Sequence, residues 1–200
     1  MNEGKRAELV HKKRKLLLKL QIDERVQSTI KDYLYFFDFL NDNQIFYEIE
    51  YLTCVDGENH SLFMEALTYP PLSNYKFQEN VVKLSDSHYV HEKVQDLFPS
   101  SLKLRYLPVL ENYEKNFGLR SAGFENAYKS LDVENEIVYF FICNCSPVIK
   151  LQLNDVIKFK TAFFDLNQLS NDVCIIPLDY RWLIFGSVED DWGWGKSPTC

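Results

Sequence analysis

The sequence predicts an α+β fold in which N-terminal helices pack with a mainly antiparallel β-sheet. Three observations carry that prediction. Apolar side chains recur at helical spacing through the first forty residues, whereas from residue 134 onward they run or alternate as they do in strands. No internal repeat or linker divides the chain. The 200 residues are therefore read as a single α+β domain, with a basic helical head over 1–40 and a strand-rich part over 134–195.

The elements follow in order. Leu9, Leu16 and Leu20 share one helical face, with Val10 and Leu17 beside them and Lys12, Lys13 and Lys15 pointing elsewhere. Ile22, Val26, Ile30, Leu34, Phe37 and Leu40 continue at the same spacing, with or without a break near Gln21, until Asn41-Asp42-Asn43. Ile45 to Leu52 alternates as a strand, Gly57 marks a turn, and Ser61 to Tyr69 is expected to return as a second strand before Pro70-Pro71. Asp86 or Ser87 caps a helix carrying Val90, Val94, Leu97 and Phe98, which Pro99 ends. Pro108 suits the first turn of another, with Val109, Leu110, Tyr113 and Phe117 behind it and Gly118 as its cap. Ser121 to Leu131 forms a short helix that buries Phe124, Tyr128 and Leu131.

In the last third, Glu136 to Cys143 is nearly continuous in apolar residues, as a central strand is. After Ser146-Pro147, Ile149, Leu151 and Leu153 alternate with polar neighbours. Val156 to Leu166 fits a helix through Val156, Phe159, Phe163 and Leu166, or a strand through Ile157, Phe159 and Thr161. Tyr180 to Phe185 reads as the final strand.

Composition narrows the class. A chain of this length buries roughly 70% of its unfolded surface without disulfides or metal. Its 15 Phe, 12 Tyr and 3 Trp predict a large aromatic core, or in part an exposed aromatic binding surface. No stretch reaches the roughly 18 apolar residues of a membrane span, and Lys19 cuts Leu16-Leu17-Leu18 short of a signal-peptide core. Cys54, Cys143, Cys145, Cys174 and Cys200 are odd in number, which suits free thiols in a reducing compartment. The expected location is the cytoplasm, with no membrane contact. Net charge is −7 but uneven: residues 1–31 hold nine Lys/Arg and four Asp/Glu (+5), and the remainder holds thirteen and twenty-five (−12). The acidic body repels nucleic acid and attracts basic partners.

Motifs of catalysis are missing. His88, His91 and Glu92 lack the four-residue histidine spacing of a zinc-protease helix. Cys143 and Cys145 alternate sides of a strand, and C-x-C is not the redox spacing. There is no glycine-rich phosphate loop or nucleophile elbow, and Gly195-Lys196-Ser197 lacks the first glycine of such a loop. Asp155, Lys158 and Lys160 have no defined spacing. No catalytic residue, metal ligand or cofactor is assigned.

The segment Asp179 to Trp194 stands out. It reads either as a core strand with a solvated acidic tail or as a recognition edge. In the second reading Glu189, Asp190, Asp191, Trp192 and Trp194 bind a partner, the indoles supplying contact area and the carboxylates meeting Lys or Arg. Stacking of Trp192 and Trp194 on sugars is a further option.

With its acidic α+β plan, its lack of catalytic motifs and the late stretch DYRWLIFGSVEDDWGW, the chain resembles bacterial immunity proteins, the cytosolic antidotes of polymorphic and contact-dependent toxins. The basic head departs from their usual acidic pattern. The resemblance implies a non-enzymatic protein that binds a cognate, basic toxin and blocks its active site. The alternatives are a metal-dependent hydrolase or nuclease using dispersed carboxylates, and an adaptor that binds through its basic helices.

Overall fold

The computed structural model describes residues 3–30, 33–51, 60–70, 72–75, 89–115, 118–143, 147–166, 172–189 and 191–197. Strands are β1 (Tyr47–Tyr51), β2 (Asn112–Lys115), β3 (Ile137–Ile142), β4 (Val148–Gln152), β5 (Val173–Pro177), β6 (Trp182–Gly186) and β7 (Asp191–Lys196). They form one sheet in the order β1-β4-β3-β5-β6-β7-β2, antiparallel at every pairing. The predicted α+β class, helices with an antiparallel sheet, is what the chain adopts.

Both faces of the sheet are covered, which explains why β3, β5 and β6 read as continuous apolar runs rather than alternating ones. Because side chains alternate, Val138, Phe140 and Ile142 of β3 enter one core and Tyr139 and Phe141 the other. The first core is closed by α2 (Leu34–Asp42), α5 (Arg120–Leu131), α6 (Leu153–Lys158) and a π-helical turn (Ala162–Leu166), through Phe36, Phe124, Val156 and Phe163. The second is closed by α4 (Tyr89–Leu97), through Val90 and Val94, and by the segment after it, through Phe98. Phe36 packs edge-on to Phe163 at 5.0 Å and stacks on Phe140 at 5.4 Å, so the aromatic content is largely core.

Several elements differ from the sequence reading. The first helix, α1 (Glu3–Ile30), runs straight through Gln21, and the break falls between it and α2. Residues 61–69 are not a strand: α3 (His60–Leu67) buries Ala66 and Leu67 and half-buries Leu62, a spacing of a helical face. Leu, Met, Glu and Ala are also better helix than strand formers. Residues 108–115, the described part of the segment from Pro108, are not a helix either, since Asn112–Lys115 pair with β7 and all four are exposed, leaving no helical stripe to bury. Tertiary pairing overrides the Pro-first, Gly-last pattern there. The ambiguous segment is helical, as α6 and the π-helical turn. Strands β5 and β7 were not anticipated, so Tyr180–Phe185 overlaps the penultimate strand rather than the last. The proposed caps Asp86 and Ser87, the turn at Gly57, and His88, Phe117, Cys54, Cys145, Asp190 and Cys200 lie outside the described residues.

The 1–40 head is not one unit in packing. Phe36, Phe37 and Leu40 of α2 are fully buried, whereas residues 4–17 of α1 are all exposed. Among the described residues no helix is long and apolar enough to cross a membrane.

Candidate protein-binding surface

Helix α4 ends where Phe98 sinks into the second core and Pro99 removes the next backbone donor. The chain must then travel from Pro99 to Pro108 without regular pairing, and Ser100 organises that passage. Its hydroxyl accepts the N–H groups of Leu102 (3.2 Å) and Leu107 (3.0 Å), and lies 3.0 Å from the carbonyls of Leu102 and Arg105, to which it can donate its single proton. Ser101 N–H donates to Leu107 O at 2.8 Å, Val109 N–H to Pro99 O at 2.9 Å, and Tyr106 O–H to Phe98 O at 3.0 Å. These bonds tie the two ends of the loop together and leave its tip unburied. Leu104 at that tip is fully exposed, Leu102 is half exposed, and a shallow cavity of ≈ 370 Å³ opens beside them between Gln95, Pro99 and Arg105.

Arg105 ties this loop to the ends of three strands. Its guanidinium donates to Asp172 Oδ1 (3.0 Å), to Ser187 Oγ (2.6 Å) and to Glu189 Oε1 (2.8 Å). Asp172 Oδ1 also accepts Val188 N–H at 2.8 Å, and Ser187 Oγ accepts Glu189 N–H at 3.0 Å. Ser187 N–H in turn donates to Asp191 O at 2.7 Å. The hydrogen bond that Arg105 donates to Asp172, followed by that carboxylate's charge, raises the pKa of the Arg105 guanidinium above its ordinary value. Asp172 is well shielded while Glu189 remains 69% exposed, so the network fixes the turn after β6 and leaves one carboxylate at the surface.

The expected recognition edge is thereby divided. Glu189 is exposed on this turn, and Asp191 is half-buried where β7 begins. Trp192 and Trp194 are not exposed: both are buried in the first core, Trp192 completely. The reason is register. Trp192 pairs with Gly186 and Trp194 with Ile184, which turns both indoles to the helical side. Trp192 lies against Phe164 at 5.2 Å and Phe124 at 6.0 Å. The intervening glycines face β2 and the chain before it: a Cβ on Gly193 would stand 2.5 Å from the Tyr113 ring, and one on Gly195 3.0 Å from Glu111 N. The Gly-Trp-Gly alternation is thus a packing device, and sugar stacking by these tryptophans has no surface to act on. The sequence reading passed over 99–107, whose one signal is a Ser-Ser pair and two alternating leucines bracketed by prolines.

The other expected chemistry is dispersed. His91 packs on Phe141 at 4.5 Å, and Glu92 is exposed on the same helix. Asp155 and Lys158 lie on α6, while Lys160 pairs with Glu125 at 3.1 Å. Cys143 and Cys174 are free, buried thiols 3.3 Å apart, and burial, then the hydrogen bond to Cys143, pushes the Cys174 thiol up, away from the nucleophilic form. Among the described residues no three His, Cys, Asp or Glu side chains gather in a way that would hold a metal ion. Comparison with known proteins gave no matching family model, no matching curated protein and no matching solved structure.

Proposed function

We propose that the chain is a cytoplasmic, stoichiometric binding protein of the immunity type, which neutralises a basic protein toxin by covering its active cleft. The observation that carries this reading is Leu104: a fully exposed leucine on a loop whose backbone is held by Ser100 and whose base is pinned by Arg105. Exposing a leucine is unfavourable in the free protein, and a loop already ordered loses little entropy when it docks. Lys103 and Arg105 adjoin it in the loop, and Arg105 in turn holds the exposed Glu189, on a body that carries −12 outside the first 31 residues. An apolar anchor on an acidic body suits a basic cleft, where long-range attraction speeds encounter and the buried leucine slows release. The tryptophans take no part in contact; their role is to hold β7.

Calorimetric titration against the product of the adjacent gene tests the reading. The expected result is a one-to-one complex that abolishes the partner's activity and is weakened by Leu104→Asp. Turnover of a nucleic acid or ester by the chain alone, lost in Asp155→Asn, would replace this reading with the hydrolase alternative.

A further inference from the structure

Residues 4–17 of helix α1 are exposed along their whole length. The helix is 28 residues long, roughly 40 Å at about 1.5 Å per residue. Leu18, Lys19 and Ile22 face the body: Leu18 packs on the first core, Ile22 is buried, and Lys19 pairs with Glu65 of α3 at 2.9 Å. Leu9 and Leu20 lie away from that side, with Val10 and Leu17 adjoining, and Leu16 borders α3, each about half exposed or more. A solvated helical extension with tertiary support at one end alone is marginally stable in water. A covering surface would stabilise it.

The charge pattern says what kind of surface. Between Lys5 and Lys19 the helix carries seven Lys/Arg against Glu8 alone, and Lys12, Lys15 and Lys19 border a groove of ≈ 360 Å³ between α1 and α3 floored by Leu16 and Leu62. The remainder of this same chain carries −12. Lys12 and Lys15 border the same groove as Glu65 of α3, but among the described residues Lys19 is the one of these seven that pairs with the acidic body, which leaves the others to meet an acidic surface on another molecule. We propose that α1 docks on the acidic body of a second copy of this chain, its leucines covered and its lysines paired. Pairing of two α1 helices with each other is disfavoured, because it would bring Lys12, Lys13 and Lys15 of both copies together. This surface is distinct from the loop that carries Leu104.

Sedimentation equilibrium of the full chain at low and high salt tests the proposal. The expected result is a concentration-dependent dimer that salt loosens. Leu9→Glu with Leu16→Glu, and separately Lys12→Glu with Lys15→Glu, should each weaken it by roughly tenfold or more. Both pairs sit on exposed positions, and unchanged melting will show that the fold is intact. A monomer at all concentrations, or a dimer indifferent to both variants, would overturn the proposal. Tighter association on lysine reversal would overturn it in favour of α1–α1 pairing. A monomer that binds phosphatidylserine vesicles through Leu16 would overturn it in favour of an anionic membrane surface.

Discussion

A Cβ placed on Gly123 would stand 2.1 Å from Cδ1 of Trp192, so α5 and β7 meet at a position that only glycine fits. Trp192 is wedged there from the other side too, since a Cβ on Gly186 would lie 2.8 Å from its ring. Two glycines on different elements form the slot for one buried indole.

Gly123→Ala therefore opposes the ordinary trend. In a helix interior alanine is favoured over glycine by about 1 kcal/mol. Here the added methyl meets a ring with nowhere to go, and overpacking costs about 1–3 kcal/mol. The expected outcome is a lower melting temperature by circular dichroism. Gly4→Ala is the control: nothing lies within 4 Å of its Cβ, so it should leave melting unchanged or raise it.

Trp192→Ala tests the burial of the supposed recognition edge. A fully buried indole replaced by alanine costs about 3–5 kcal/mol. Urea unfolding should shift to a much lower midpoint. A variant that melts like the parent would return Trp192 to the surface.

The same residue shows what the sequence made legible. Helical spacing over 120–131 and the apolar run over 137–142 located α5 and β3, because local pattern and tertiary burial agree there. Trp192, Gly193 and Trp194 carry the alternation of a strand, but three preceding carboxylates and two glycines imitate a solvated turn. What makes them a strand is pairing with both β6 and β2, two partners distant in sequence. Asn112–Lys115 failed for the same reason, having no buried face of their own. The loop over 99–107 was illegible because its order comes from one hydroxyl, Ser100, and one guanidinium, Arg105, whose partners lie up to 84 residues away.

Asp172→Ala removes the carboxylate that holds both Arg105 and Val188 N–H. Loss of charge-assisted hydrogen bonds to a shielded acid costs about 1–3 kcal/mol. The loosening should concentrate in residues 186–189, read as faster amide exchange there and at Arg105 than in β3. Uniform exchange changes across the sheet would argue against a local network.

Alkaline stability follows from phenols that folding shields from water to different degrees. Burial, then a 2.9 Å hydrogen bond to Asp38 and that residue's charge, pushes Tyr75 from 10.0 up to about 12. Partial burial of the Tyr113 ring, with the charge of Asp191 near it, pushes Tyr113 from 10.0 to about 12. Burial pushes Tyr106 higher still. Between these values the unfolded chain has released protons that the folded chain still holds, so the folded state is favoured less as pH rises. The stabilisation is complete below pH 10 and is lost as pH climbs through about 12. The urea midpoint should fall over that window, and Tyr75→Phe should make the fall shallower.

The proposed binding role of the loop over 99–107 makes a prediction about rates rather than affinity alone. Leu104 is an apolar anchor, and its truncation acts after encounter, when the contact is already desolvated. Leu104→Ala should therefore speed dissociation, by about 1 kcal/mol or more, with association nearly unchanged. Glu189 acts earlier, through its field. Glu189→Lys should slow association and weaken its dependence on salt, though it also sets a lysine beside Arg105 and so loosens the turn. Glu189→Gln separates these effects, because it removes the charge while keeping a group that accepts from Arg105. Trp194→Phe serves as a control in the first core, where it should lower melting without changing either rate. Surface plasmon resonance at two salt concentrations with the adjacent gene's product gives all of these values. Unchanged rates for both Leu104→Ala and Glu189→Lys would place the contact elsewhere on the acidic body.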